Sequence, residues 1–132
     1  GIYFEKLHTM NFPEGKKSRE NMENIMDKFR TTLPTELCGI PIQAVEDYLK
    51  GTRIIVGTGE VEKLQLPQSN LLLFRFENGN KIAIRPSGTE PKVKVYCCTR
   101  GQKTPNIEEG IARCEKEAEQ LIREICTILR RF

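Results

Sequence analysis

Nowhere does this 132-residue sequence approach the run of about 20 apolar residues that a membrane-spanning helix needs, so no membrane partner is expected. Blocks of like charge are missing as well. Lys and Arg number 21 against 18 Asp and Glu, a net charge of +3, so no stretch reads as a nucleic-acid-binding arm and any anion site must be local. The low-hydrophobicity, high-charge signature of disorder is absent: 38% of residues are hydrophobic and 30% charged. Histidine is nearly so, and His8, without a partner at useful spacing, is not a catalytic candidate. The five cysteines (Cys38, Cys97, Cys98, Cys114, Cys126) form no CxxC pair and have no His at metal-ligand spacing. Reduced, mostly buried thiols in a cytoplasmic protein are expected instead, and no metal site. No Gly-Lys-Ser/Thr follows a glycine-rich loop, which removes a P-loop, and Gly57-Thr58-Gly59 is too short for a nucleotide fingerprint. There are no internal repeats.

What is present has the length of one ordinary domain. Because strand-like Ile2-Tyr3-Phe4 follows Gly1 directly, residues 1–132 are expected to be a single domain of a longer, multidomain chain. Residues 2 to 12 read as a strand, broken at Pro13-Glu14-Gly15. Met22, Ile25, Met26 and Phe29 then recur at helical spacing behind Ser18, a candidate N-cap, with Glu20 and Glu23 near the positive end of the dipole. That spacing predicts a helix over 18–31, stopped by Pro34. Gly39 to Val45 reads as a short strand whose prolines mark an edge or a strand start. Residues 50 to 70 are irregular, with Arg53 to Val56 a possible short strand.

Leu71 to Phe76 and Lys81 to Arg85 flank Glu77-Asn78-Gly79-Asn80, and Asn-Gly is the strongest short hairpin signal. From Lys92 to Thr99 the pattern alternates, Val93, Val95 and Cys97 on one face and Lys92, Lys94, Tyr96 and Cys98 on the other. Thr104-Pro105 reads as the cap and first residue of a last helix, and Ile107, Ile111, Cys114, Ala118, Leu121, Ile125, Ile128 and Phe132 give it one apolar stripe. The fold class is α+β: a mainly antiparallel sheet of about four to five strands with two principal helices on one face.

Between two of these strands stands Arg85-Pro86-Ser87-Gly88-Thr89-Glu90-Pro91. Pro86 fixes its own φ and holds Arg85 extended, so the guanidinium leaves the strand in a set direction. A left-handed Gly88 would let the amides of Ser87, Gly88 and Thr89 converge on an anion, with two hydroxyls and an arginine fork beside them. Lys94, off the apolar face, is a second cation. Glu90 would repel a phosphate and is expected to turn to the loop or to a substrate hydroxyl. Pro, Ser, Gly and Thr are also what ordinary turns use, so residue chemistry alone leaves a plain tight turn open.

This stretch, followed by Lys92-Val93-Lys94-Val95-Tyr96, resembles the phosphate-binding loop in the C-terminal domain of the α-D-phosphohexomutases, the phosphoglucomutase and phosphomannomutase superfamily. Val45-Glu46-Asp47-Tyr48 and Leu66-Pro67-Gln68-Ser69-Asn70 resemble its phosphoglucomutase/phosphopentomutase-like branch. The resemblance implies a TATA-box-binding-protein-like domain that closes as a lid, and an enzyme interconverting sugar 1-phosphate and sugar 6-phosphate through a phosphoserine. Glucose is the expected sugar; Lys94, where the glucosamine branch more often has arginine, counts against glucosamine phosphate. In that scheme Arg85, Ser87, Gly88, Thr89 and Lys94 hold the non-reacting phosphate, and Glu90 is a possible substrate contact. The catalytic serine, the Mg2+ site and the sugar-selecting loop would lie in other domains of the same chain, and glucose 1,6-bisphosphate would be the intermediate and activator.

The alternative from the residues is a small anion- or nucleic-acid-binding module using Lys81, Arg85, Lys92 and Lys94. Base stacking wants interleaved aromatics, and Tyr96 alone supplies one, so no nucleic-acid partner is expected. A purely structural interaction domain built on the last helix leaves the loop unexplained.

Overall fold

The computed structural model describes residues 1–12 and 18–132, without the side chains of residues 18–21. The break at Pro13-Glu14-Gly15 lies outside the described residues, as do the side chains of Ser18, read as an N-cap, and of Glu20, read as an acid near the positive end of the helix dipole. Strand β1 (Ile2–Asn11) precedes helix α1 (Ser18–Thr31), then β2 (Glu36–Leu37), β3 (Ile40–Asp47), β4 (Thr52–Ile55), β5 (Val61–Lys63), β6 (Leu72–Phe76), β7 (Lys81–Pro86), β8 (Lys92–Gly101) and α2 (Ile107–Leu129). The strands pair antiparallel in the order β1-β8-β7-β6-β3-β4-β5, with β2 on the start of β3. The class is α+β as expected, but among the described residues the sheet has eight strands rather than four or five.

The uncounted strands have a physical reason. β2 is two residues long and β5 three, too short to show a period, and every residue of β5 is exposed, so no alternation is written into it. β3 is not an edge: it lies between β6 and β4, and Pro41 stands at its second position opposite Glu36, before the ladder to β4 begins at Ala44.

One face of the sheet is covered. Ile82, Ile84, Val93, Val95, Leu72, Phe74 and Val45 join Met22, Ile25, Met26 and Phe29 of α1 and Ala118, Leu121, Ile125 and Leu129 of α2 in a single core. Each such side chain contributes about 1.5–3 kcal/mol by leaving water. The Phe29 and Phe74 rings meet at 5.8 Å. The opposite face of the sheet carries no helix among the described residues.

Two readings of α2 need correction. Its cap is Asn106, whose side chain accepts the Glu109 amide at 3.2 Å; the Thr104 hydroxyl donates to the Asn106 carbonyl at 2.5 Å instead of capping. Its buried stripe runs from Gly110 and Cys114 to Leu129, leaving Ile107, Ile111 and Phe132 exposed. Gly110 sets this rotation: a Cβ there would lie 2.6 Å from Ile2 Cδ1, so the helix approaches β1 on a bare backbone.

All five cysteines are free, with Cys97, Cys98 and Cys114 buried and Cys38 exposed. Burial pushes the Cys97 thiol up to about 12, so it stays protonated at neutral pH.

α1 is fastened by charge as well as by packing. Arg30 Nε donates to Asp47 Oδ2 at 3.0 Å and Nη2 to Asn70 Oδ1 at 2.5 Å. Asp47 Oδ1 also accepts the amides of Leu49 and Lys50, at 3.0 and 3.2 Å. The two charged side chains are 4% and 6% exposed. Losing one partner of such a pair strands the other charge, so Asp47→Ala is expected to cost about 3 kcal/mol. Urea unfolding checks this; a midpoint equal to that of the unaltered chain refutes it.

Candidate functional site

Alternation places the site. On the core side of the hairpin Ile84 opposes Val95 and Pro86 opposes Val93, which leaves Arg85 and Lys94 directly opposite each other on the open side. Cβ atoms so placed stand about 4.5–5.5 Å apart. Both side chains are exposed. Like charges held this close repel, and an anion between them relieves the repulsion.

The loop joining these strands is closed at its base. Ser87 N–H donates to the Lys92 carbonyl at 2.8 Å, Lys92 N–H to the Glu90 carbonyl at 2.8 Å, and Phe12 N–H to the Pro91 carbonyl at 2.9 Å. Within it the Ser87 hydroxyl oxygen accepts the amides of Thr89 at 3.4 Å and Glu90 at 3.2 Å. That leaves its own O–H free to donate.

Gly88 does not take the expected left-handed conformation; among the described glycines only Gly39, Gly51, Gly59 and Gly79 have positive φ. Ser87 explains why: its hydroxyl turns the following amides, so the chain reverses without a left-handed residue. A Cβ on Gly88 would meet nothing within 4 Å, so no packing inside the chain requires glycine here. What glycine gives at this point is bare backbone toward solvent, and its N–H has no partner among the described residues.

Glu90 turns to the loop. Its Oε2 lies 2.9 Å from Lys92 Nζ, and the hydrogen bond and charge of Lys92, with the charge of Lys94, hold the carboxyl below its ordinary range. Lys92 thus masks the one acid in the loop. Sequence reasoning gave Lys92 a role only in the alternative anion- or nucleic-acid-binding module; its spacing two residues after Glu90 was the available signal for the ion pair.

A second polar group on the open face was not anticipated. Glu46 of β3 accepts from Tyr48 Oη at 2.9 Å and Arg75 Nε at 2.8 Å, with Arg53 Nη1 3.8 Å away. Burial pushes the Glu46 carboxyl up, but the hydrogen bonds from Arg75 and Tyr48 and the charges of Arg75 and Arg53 outweigh it and leave the carboxyl below its ordinary range. Among the described residues no three His, Cys, Asp or Glu side chains gather as metal ligands.

The loop lies within the part of the chain that matches known proteins. The family described as the phosphoglucomutase/phosphomannomutase C-terminal domain matches residues 12–104. The chain belongs to that family. It is 42% identical over 96 residues to a phosphoglucomutase of Staphylococcus epidermidis, covering 73% of this chain and 17% of the relative. With a Staphylococcus saprophyticus phosphoglucomutase the identity is 48% over 83 residues, 63% of this chain and 15% of the relative. A Staphylococcus aureus phosphoglucomutase shares 36% over 104 residues, 79% of this chain and 18% of the relative. The chain therefore spans about a sixth of the length of the curated relatives it matches. Arg85, Ser87, Gly88, Thr89, Glu90 and Lys94 all fall inside the part that matches this C-terminal domain family.

The Glu46 group gives a pH-dependent expectation. A carboxyl whose folded pKa is depressed stabilises fully above the ordinary carboxylate range and stops doing so as pH falls through its folded value. Glu46→Gln should therefore cost about 2 kcal/mol at neutral pH, where Arg75 loses a charged acceptor. The difference from the unaltered chain should shrink toward about pH 3. Urea unfolding at both pH values measures it, and a gap independent of pH contradicts the assignment.

Proposed function

We propose that this chain is the phosphate-binding domain of a phosphohexomutase, and that its loop holds the sugar phosphate that is not reacting. The observation that carries this reading is the pairing of Arg85 with Lys94 across the β7–β8 ladder, beside a loop whose Ser87 hydroxyl and Gly88 amide are free to donate. Arg85 offers a planar fork that suits two phosphate oxygens, Lys94 a point charge, and each charge-assisted bond is worth roughly 1.5–3 kcal/mol. Thr89 adds a hydroxyl, and Glu90, held by Lys92, is left as a weak contact for a sugar hydroxyl.

In the complete enzyme the phosphoryl group passes from a phosphoserine on another domain to the free hydroxyl of the sugar monophosphate. The bisphosphorylated sugar turns over, and its other phosphate returns to the serine. Clamping the idle phosphate turns remote binding energy into orientation of the reacting end. Closure of this domain over the sugar as a lid, with glucose as the sugar, a cytoplasmic setting, Mg2+ on another domain and glucose 1,6-bisphosphate as the intermediate, completes the proposal. The rival reading, a nucleic-acid module, gains Tyr3 on the open face beside Tyr96, while the Tyr48 hydroxyl is tied to Glu46, too little for a stacking track.

Two outcomes are expected. Arg85→Ala in the full-length enzyme should lower kcat/KM by about 2 kcal/mol, roughly thirtyfold, measured as conversion of glucose 1-phosphate to glucose 6-phosphate; an unchanged kcat/KM removes the role given to Arg85. The 132-residue chain alone should convert none, since it holds neither donor serine nor metal ligands in the proposed scheme. Turnover by the pure chain would refute that division of labour.

A further inference from the structure

The open face continues past the clamp in ordered rows. Two residues from Arg85 and Lys94, about 6.7 Å along the strands, Ala83 and Tyr96 form the next opposed pair. Leu7 of β1 extends that row beyond Tyr96, and Leu73 of β6 extends it beyond Ala83. The following row is polar, with Glu5 opposite Cys98 and Cys98 opposite Lys81. Small Ala83 between larger neighbours leaves a hollow of about 410 Å³, lined by Leu7, Leu73, Ala83 and Tyr96 with Glu5 and Lys81 at its rim. That volume, with an apolar lining and few polar groups, has the make-up of a small-molecule site. Tyr96 is 42% exposed although it stands mid-strand, which leaves its ring available.

Three rows therefore run in sequence: cations, an apolar floor with an aromatic, and a hydrogen-bonding rim. A phosphorylated sugar has the same order of parts, an anionic phosphate, ring edges rich in C–H, and outlying hydroxyls. We propose that this hollow is one wall of the seat for the sugar ring whose phosphate rests between Arg85 and Lys94. Tyr96 packs against the C–H face of the ring, a contact this domain adds to those of the sugar-selecting loop expected on another domain, while Lys81 and Glu5 meet hydroxyls. The inference rests on the phosphate-clamp reading above.

The test titrates the 132-residue chain with inorganic phosphate and, separately, with glucose 1-phosphate, followed by amide NMR shifts. Phosphate should move the amides of residues 87–90, and glucose 1-phosphate should move those of Ala83, Tyr96 and Cys98 as well. Tyr96→Ala should weaken glucose 1-phosphate about fivefold, the scale of one lost aromatic contact, while inorganic phosphate binds as before and Tyr96→Phe restores the sugar phosphate. Ala83→Leu, which fills the hollow, should act like Tyr96→Ala, with thermal melting to confirm that each variant folds. Phosphate binding with no discrimination by Tyr96→Ala and Ala83→Leu overturns the seat and leaves the clamp standing. Failure of both anions to move the loop amides overturns the clamp and the seat together.

Discussion

The register of β7 against β8 is the constraint from which the site follows. Ile82, Ile84, Val93 and Val95 must face the helices, and the side-chain period of a strand is two, so Arg85 and Lys94 are driven out together. A slip of β7 by one residue would turn Arg85 toward the core and expose Ile82 and Ile84. The hairpin turn guards against it: Asn80, almost wholly buried, accepts the Arg100 amide at 2.8 Å through Oδ1 and hydrogen-bonds Glu117 of α2 through its amide nitrogen. Gly79, at φ 90°, lets the chain turn into that position. Core packing and one buried amide thus fix the spacing of two charges that neither of them touches.

Much of this was legible from residue order because the long elements carry strong periods. The four apolar positions of α1, the alternation of β8 and the Asn-Gly hairpin each name an element and the face it buries. What escaped reading has local causes. β5 is exposed throughout and β2 is two residues long, so neither writes a pattern. Asn106 and Thr104 are both good caps, and only the packing of Gly110 on Ile2 decides between them. Gly88 was expected to bend the loop, a task that falls to the Ser87 hydroxyl, because a glycine signals conformational freedom without saying whether it is used. Glu46 was missed as a centre of charge because its partners Arg75 and Arg53 come from separate strands, joined only by the β3–β6 and β3–β4 registers.

The division of labour between the two faces follows from where charge is tolerated. Among the described residues the covered face holds one buried ion pair, Arg30 with Asp47, and each member makes further hydrogen bonds, Arg30 to Asn70 and Asp47 to two amides. Arg53, Arg75, Lys81, Arg85 and Lys94 all sit on the open face, where water or a ligand can meet them. Among the described residues helices stand on one side alone, which gives the domain a stable back and a cationic front.

The Ser87 hydroxyl also bears on how an anion enters. Its oxygen already accepts the Thr89 and Glu90 amides. An incoming phosphate oxygen therefore competes with a neutral acceptor that has kept those donors aimed, and the loop changes partners rather than shape. Such an exchange trades weak bonds for charge-assisted ones without ordering a disordered segment first. Under the proposed function release is easy for the same reason, because the serine oxygen is at hand to reclaim the amides, and a sugar that in that scheme must leave, turn and be caught again by its other end would be served by a grip that lets go.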